Sequence, residues 1–92
     1  LPAAASEKKA PSETPYYRSK KQRSEEAARK RRIDQLEHRI EELEATIFRL
    51  ENEITLPEIS GDYLALQERC DALEEARTDL NICMSEWTNI AP

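Results

Sequence analysis

The sequence is poor in the residues from which catalytic and ligand-binding sites are usually built. It has one histidine, His38, one glycine, Gly61, and two cysteines, and it contains no GxxxxGK[ST] motif that could cradle a phosphate. His38 falls on the outer side of the helical repeat described below, where we expect a solvated side chain and not a general base. Cys70, Cys83 and His38 do not have zinc-finger spacing. We therefore predict no catalytic residue, no metal site and no cofactor in this chain.

Long apolar runs are also missing. No stretch approaches the roughly 20 apolar residues of a membrane span, and no basic-then-apolar secretory signal opens the chain. The two cysteines are 13 residues apart on one predicted helix, about 20 Å at 1.5 Å per residue, which is too far for a disulfide between them. These absences predict a cytoplasmic protein without a membrane contact. Because the chain starts without Met, we also expect it to be a piece of a longer protein.

An apolar heptad repeat dominates the middle of the chain. Its members are separated by alternating steps of 3 and 4 residues, which places them on one narrow side of a helix: Ile33, Leu36, Ile40, Leu43, Ile47, Leu50 and Ile54. After a break at residues 56–61 the same spacing returns in Tyr63, Leu66, Cys70, Leu73, Arg77, Leu80, Met84 and Trp87. Because a short loop makes neighbouring helices antiparallel, we predict an all-α fold, an antiparallel two-helix coiled-coil hairpin.

The spacing also predicts where each helix begins and ends and how the two pair. The first helix should run from between Tyr16 and Ser19 to about Thr55, and the second from about Asp62 to Trp87 or Asn89. Ser60 or Asp62 would cap the second helix, and Gly61 would supply unusual backbone dihedrals in the turn. The predicted layers pair Ile54 with Leu66, Leu50 with Cys70, Ile47 with Leu73, Ile40 with Leu80 and Ile33 with Trp87. In this register Glu53 lies beside Arg69. Arg77 lies opposite Leu43, from where its side chain would reach out to acids such as Glu44.

Charge is distributed unevenly along the chain. Residues 1–32 hold ten Lys or Arg and four Glu, a net +6, whereas residues 33–92 hold four Arg and fifteen Asp or Glu, a net −11. Together with the prolines near the start, this division predicts a flexible, disordered linker over 1–15, a basic helical extension over 16–32 and the hairpin over 33–90.

The basic extension carries the strongest functional signal in the sequence. Lys and Arg massed on a helix can neutralise several phosphates and release counterions, which produces salt-sensitive binding to nucleic acid. The predicted nucleic-acid-binding residues are Arg18, Lys20, Lys21, Arg23, Arg29, Lys30, Arg31 and Arg32. Two alternatives stay open: a solubilising linker helix whose charge Glu25 and Glu26 partly cancel through pairs with Arg29 and Lys30, and a segment that binds an acidic protein.

Three parts of the chain together resemble the C-terminal domain of ABC-F ATP-binding cassette proteins over about residues 16–90. They are KKQRSEEAARKRRIDQLEHRIEELEATIFRLENEI, the short LPEI break and YLALQERCDALEEARTDLNICMSEW. Pro57-Glu58 at the turn and the late Trp87 are the most specific elements. The resemblance implies a helical hairpin with a 3₁₀ turn at its tip, appended to a cytosolic ATPase that binds ATP elsewhere, acts on ribosomes and uses this domain to bind DNA or RNA. Its basic approach to the hairpin corresponds here to Lys20, Lys21, Arg23, Arg29, Lys30, Arg31 and Arg32.

Three functions are therefore compared. The first is a monomeric, non-catalytic domain that binds DNA or ribosomal RNA and docks on the ribosome. The second is a dimeric basic-zipper-like regulator, which is disfavoured because Pro57 and Gly61 end the first seam after about three heptads and no Asn occupies an a position. The third is a structural protein-docking coiled coil whose acidic contact surface would contain Glu37, Glu44 and Glu51.

Overall fold

The structure is a computed structural model that describes residues 15–92. These residues form three helices and no strand: α1 (Pro15–Glu53), α2 (Pro57–Ser60) and α3 (Tyr63–Ile90). The predicted all-α helical hairpin is confirmed. The linker predicted for 1–15 lies outside the described residues except for Pro15, which begins α1, because the first helical position does not need the N–H that proline lacks. The contacts divide the chain after Arg32, so that the hairpin, from Ile33 to Pro92, is one compact unit.

The single-turn helix α2 forms the tip of the hairpin. Pro57 is its first residue, and the Ser60 N–H donates to the Leu56 carbonyl at 2.8 Å, which is the spacing of an α-helical turn. Bonds of 3₁₀ type flank it, for instance from the Asp62 N–H to the Ile59 carbonyl at 3.1 Å. The tip is therefore an α-helical turn with 3₁₀ bonds at its ends. The resemblance implied a 3₁₀ turn at this position.

Gly61 and Asp62 connect the tip to α3. Gly61 has φ −87° and ψ −3°, which any residue can adopt, so the prediction that it supplies unusual dihedrals is wrong. Glycine is favoured there because a Cβ would lie 2.9 Å from the carbonyl oxygen of Pro57, to which the Gly61 N–H donates. Of the two predicted caps, Asp62 is the one used, since its Oδ1 accepts from the Ala65 N–H at 3.2 Å.

The core of the hairpin is a single seam between α1 and α3. The first predicted repeat is confirmed: its three leucines are buried and its four isoleucines, of which Ile54 lies just past the end of α1, are half-buried. On α3 the predicted leucines and Trp87 face the seam. The residues that alternate with them in the seam are not the predicted ones. The observed row consists of Arg69, Ala76, Cys83 and Ile90, of which Ala76 is buried and the others half-buried.

The predicted row of Tyr63, Cys70, Arg77 and Met84 is exposed, so this part of the prediction is wrong. Both rows stand three or four residues from the leucines, and both therefore satisfy a heptad repeat. Beside the seam, Arg69 donates a hydrogen bond to Glu53 and Trp87 donates one to Glu37. Because Cys70 is exposed, the predicted layer of Leu50 with Cys70 is not formed.

The two cysteines test which row of α3 faces the seam, because Cys70 belongs to the predicted row and Cys83 to the observed one. Cys70 is exposed and Cys83 is half-buried in the seam, so we expect a thiol reagent such as DTNB to react several times faster with Cys83→Ser, which keeps Cys70, than with Cys70→Ser. In urea, where the hairpin is unfolded, the two variants should react at similar rates. A faster reaction of Cys83 in the folded protein would support the register predicted from the sequence.

Candidate nucleic-acid interface

The eight predicted nucleic-acid-binding residues all lie on the first part of α1. Every residue from 15 to 32 is exposed, so this segment contributes no side chain to a core. It is rich in Lys, Arg, Glu and Ala, which have high helix propensity. The segment carries eight Lys or Arg and two Glu, a net +6. It is thus an exposed, strongly cationic helix.

Helical geometry sorts these charges onto two sides. At 3.6 residues per turn, four cations share a side that carries no carboxylate, and we name it the basic face: Lys20, Arg23, Lys30 and Arg31. Glu25 lies on the other side, together with Arg18 and Arg29, whereas Glu26 lies at the edge of the basic face, one turn before Lys30. Glu26 is therefore the carboxylate nearest to the basic face.

Most of these cations have no partner within the part of the chain that the structure describes. The pairs of Glu25 with Arg29 and of Glu26 with Lys30, which helical spacing would allow, are not formed. Arg23 donates from Nη1 to the Ser19 hydroxyl oxygen at 3.1 Å. The cations without a hydrogen bond or ion pair among the described residues are Lys20, Lys21, Arg29, Lys30 and Arg31.

Two tyrosines accompany the cations. Tyr16 is 72 % exposed, and it lies four residues before Lys20 and seven before Arg23, which places it on the basic face. Tyr17 lines an open hollow of about 420 Å³ beside Lys20 and Lys21. Exposed aromatic rings next to cations can stack on unpaired bases while the cations contact the backbone.

The hairpin has a different electrostatic character. Each of its four arginines is paired: Arg39 with Glu42 and Asp79, Arg49 with Glu53, Arg69 with Glu53 and Glu68, and Arg77 with Glu51. Arg77 was predicted to reach out to acids such as Glu44, and the acid that it reaches is Glu51, whose Oε2 lies 2.8 Å from the Arg77 Nη2. With its arginines paired and a net charge of −11, the hairpin offers no cationic surface to phosphates.

Glu53 joins the two helices of the hairpin. Its carboxylate accepts from Arg49 of α1 and from Arg69 of α3, each at 2.9 Å. The hydrogen bond from Arg49, followed by that from Arg69, lowers the pKa of Glu53 below its ordinary value. The predicted proximity of Glu53 and Arg69 is confirmed.

No site for catalysis or metal binding is found in the described residues. His38 is exposed, with its Nε2 3.6 Å from the Glu42 carboxylate on the following turn. No group of three or more His, Cys, Asp or Glu among residues 15–92 is arranged to hold a metal ion. None of the three helices is both long and apolar enough to cross a membrane.

Comparison with known proteins gives one match. The family model described as the ABC transporter C-terminal domain matches residues 24–91. The matched range includes the hairpin up to Ala91 and the cations from Arg29 to Arg32, whereas Arg18, Lys20, Lys21 and Arg23 precede it. Neither the search of curated proteins nor that of solved structures gave a significant match.

Proposed function

Because the chain belongs to the ABC transporter C-terminal domain family, we propose that it is the non-catalytic nucleic-acid-binding domain of an ABC-F type ATP-binding cassette ATPase. DNA or ribosomal RNA binds to the basic face of α1 and the cations that flank it. ATP is bound and hydrolysed elsewhere in the parent protein, which works in the cytoplasm and docks on the ribosome as a monomer. The observation that supports this proposal is an exposed helical segment of charge +6, five of whose cations have no partner among residues 15–92.

The arrangement of the cations accounts for the proposed binding. Lys20 and Arg31 are eleven residues apart, so they lie about 16 Å apart on the same side of α1 after three helical turns. A helix with cations at such intervals can follow several successive phosphates of a nucleic-acid backbone without reading bases. If each of the four cations of the basic face neutralises one phosphate of B-DNA, log K falls with log salt with a slope of about −3.6.

Burial of the α1 seam favours this function over the basic-zipper alternative. A parallel zipper would need the heptad repeat of α1 for a second chain. In the structure, Leu36, Leu43 and Leu50 are already buried within the chain. The repeat is therefore occupied by α3 of the same molecule.

A salt titration tests the proposal. We expect the full chain to bind duplex DNA and a ribosomal RNA hairpin, and raising salt from about 50 to about 200 mM should weaken DNA binding about 150-fold if the slope is −3.6. Fluorescence anisotropy of labelled nucleic acid measures the affinity at each salt concentration. Absence of binding at the lower salt concentration, or an affinity that salt does not change, would contradict the proposal.

A further inference from the structure

Helix α3 carries a second heptad row that the hairpin does not use. Tyr63, Cys70, Arg77 and Met84 are seven residues apart, and all are exposed, Tyr63 by 75 % and Met84 by 45 %. They flank the leucines of α3 on the side opposite Arg69 and Ala76. Three adjacent heptad rows of α3 therefore contain apolar residues. A helix with such a wide apolar side typically packs against more than one other helix. Apart from the ion pair of Arg77 with Glu51, the second row is thus an exposed surface among the described residues.

Three open hollows follow one another along this row, each sharing one lining residue with the next, and we name them together the α3 groove. The first, of about 690 Å³, extends from Gln67 past Leu73 to Asn81. Asn81 also lines the second, of about 490 Å³, which includes Met84. Met84 in turn lines the third, of about 340 Å³, together with Trp87 and residues of α1: Glu37, Ile40 and Glu41. From Gln67 to Trp87 the groove is about 30 Å long, which matches a helix of about 20 residues.

The rim of the α3 groove is acidic. Glu37 and Glu41 line it on α1, and Asp71 and Glu74 line it on α3. Glu41 and Glu74 have no hydrogen bond or ion pair among the described residues. The cation in the groove, Arg77, is already paired with Glu51. A ligand lying in the groove therefore meets apolar side chains on its floor and uncompensated negative charge at its edges.

We infer that the α3 groove is the docking site for a basic amphipathic helix of a protein partner. An apolar row on that helix would pack on Cys70, Met84 and Trp87, while its flanking Lys or Arg would meet the carboxylates of the rim. Nucleic acid does not fit this surface, because its phosphates would face those carboxylates. A second copy of the groove does not fit either, because it would set two acidic rims against each other.

Trp87 reports on occupancy of the groove. It is the single tryptophan of the chain, it lines the third hollow, and its Nε1 donates to the Glu37 Oε2 at 3.1 Å. The probe is a synthetic peptide of about three heptads with Leu at a and d and Lys elsewhere, added to the full chain. We expect a saturable change in Trp87 emission. A peptide of the same composition in shuffled order, which cannot form an apolar row, should produce none.

A pair of variants makes the inference falsifiable. Met84→Lys places a charge on the groove floor, whereas Ile82→Lys makes the same kind of change at a 61 % exposed residue of α3 that lines none of the three hollows. Circular dichroism should show both folded, since neither residue is buried. Calorimetry should show peptide affinity reduced at least about tenfold by Met84→Lys and nearly unchanged by Ile82→Lys.

Three results would overturn the inference. One is equal binding of the ordered and shuffled peptides, and another is an equal loss of affinity in the two variants. The third is a concentration-dependent dimer in sedimentation that Met84→Lys dissociates, which would assign the groove to a second copy of the chain. These outcomes are independent of the proposed function, because nucleic acid is assigned to residues before Ile33.

Discussion

Ala76→Glu is expected to unfold the hairpin, whereas Ala72→Glu leaves it folded. Ala76 is 6 % exposed in the seam between the helices, and Ala72, one turn earlier on α3, is exposed. A glutamate at position 76 would bring both excess volume and an unpaired carboxylate into the seam. The cost is on the order of 3–5 kcal/mol, a large part of the stability of a small domain.

Ala72→Glu is a matched control because it has the same helix propensity cost and the same change in net charge. We expect it to change the free energy of unfolding by no more than about 0.5 kcal/mol. Urea titration followed by circular dichroism at 222 nm measures both variants, and the pair Ala76→Gln and Ala72→Gln removes the effect of charge. If the two alanine positions prove equally tolerant, the observed row of Arg69, Ala76, Cys83 and Ile90 does not form the seam.

Reversing the charge of Arg29, Lys30, Arg31 and Arg32 to Glu is expected to abolish nucleic-acid binding without unfolding the chain. The change converts the segment 15–32 from +6 to −2, because four of its eight cations become acids beside the two already present. Phosphates would then be repelled from residues 25–32, and only the four cations of residues 18–23 would remain. All four side chains are exposed and glutamate is a good helix former, so the helix content should be retained.

The control for this variant keeps the charge and changes the chemistry. Exchanging Lys for Arg and Arg for Lys at the same four positions should leave the affinity within a few-fold and the salt slope unchanged, because non-specific phosphate binding depends mainly on charge. Anisotropy titrations at equal salt measure both variants. Full affinity in the charge-reversed variant would place any nucleic-acid site outside this segment, whereas lost affinity in the exchanged variant would indicate specific arginine geometry.

Prediction from the sequence succeeded on α1 and only partly on α3. On α1 the isoleucines and leucines have a single heptad solution, because no other set of residues from Ile33 to Ile54 is apolar at steps of 3 and 4. On α3 the leucines can alternate either with Cys70 and Met84 or with Cys83 and Ile90. The two rows are similar in apolar character, and each includes an arginine. Hydrophobic periodicity could not choose between them.

The electrostatic pattern was predicted in outline. The division near Arg32 into a cationic and an anionic part can be counted from the residues, and it stays the basis of the proposed function. The α3 groove was not predicted, because its row of exposed residues was interpreted as core. Its regular seven-residue spacing was the available signal, and only the position of α1 shows that this row is left uncovered.

The sequence by itself determined that this protein is a helical hairpin, where its turn lies and which end carries the positive charge, because each of these follows from local periodicity and composition. Only the tertiary structure decided which side of α3 packs against α1. Ala76 is buried in the seam while Cys70 stays exposed, and both results depend on the distance and direction between two helices. A pattern that repeats along one helix contains no information about that direction.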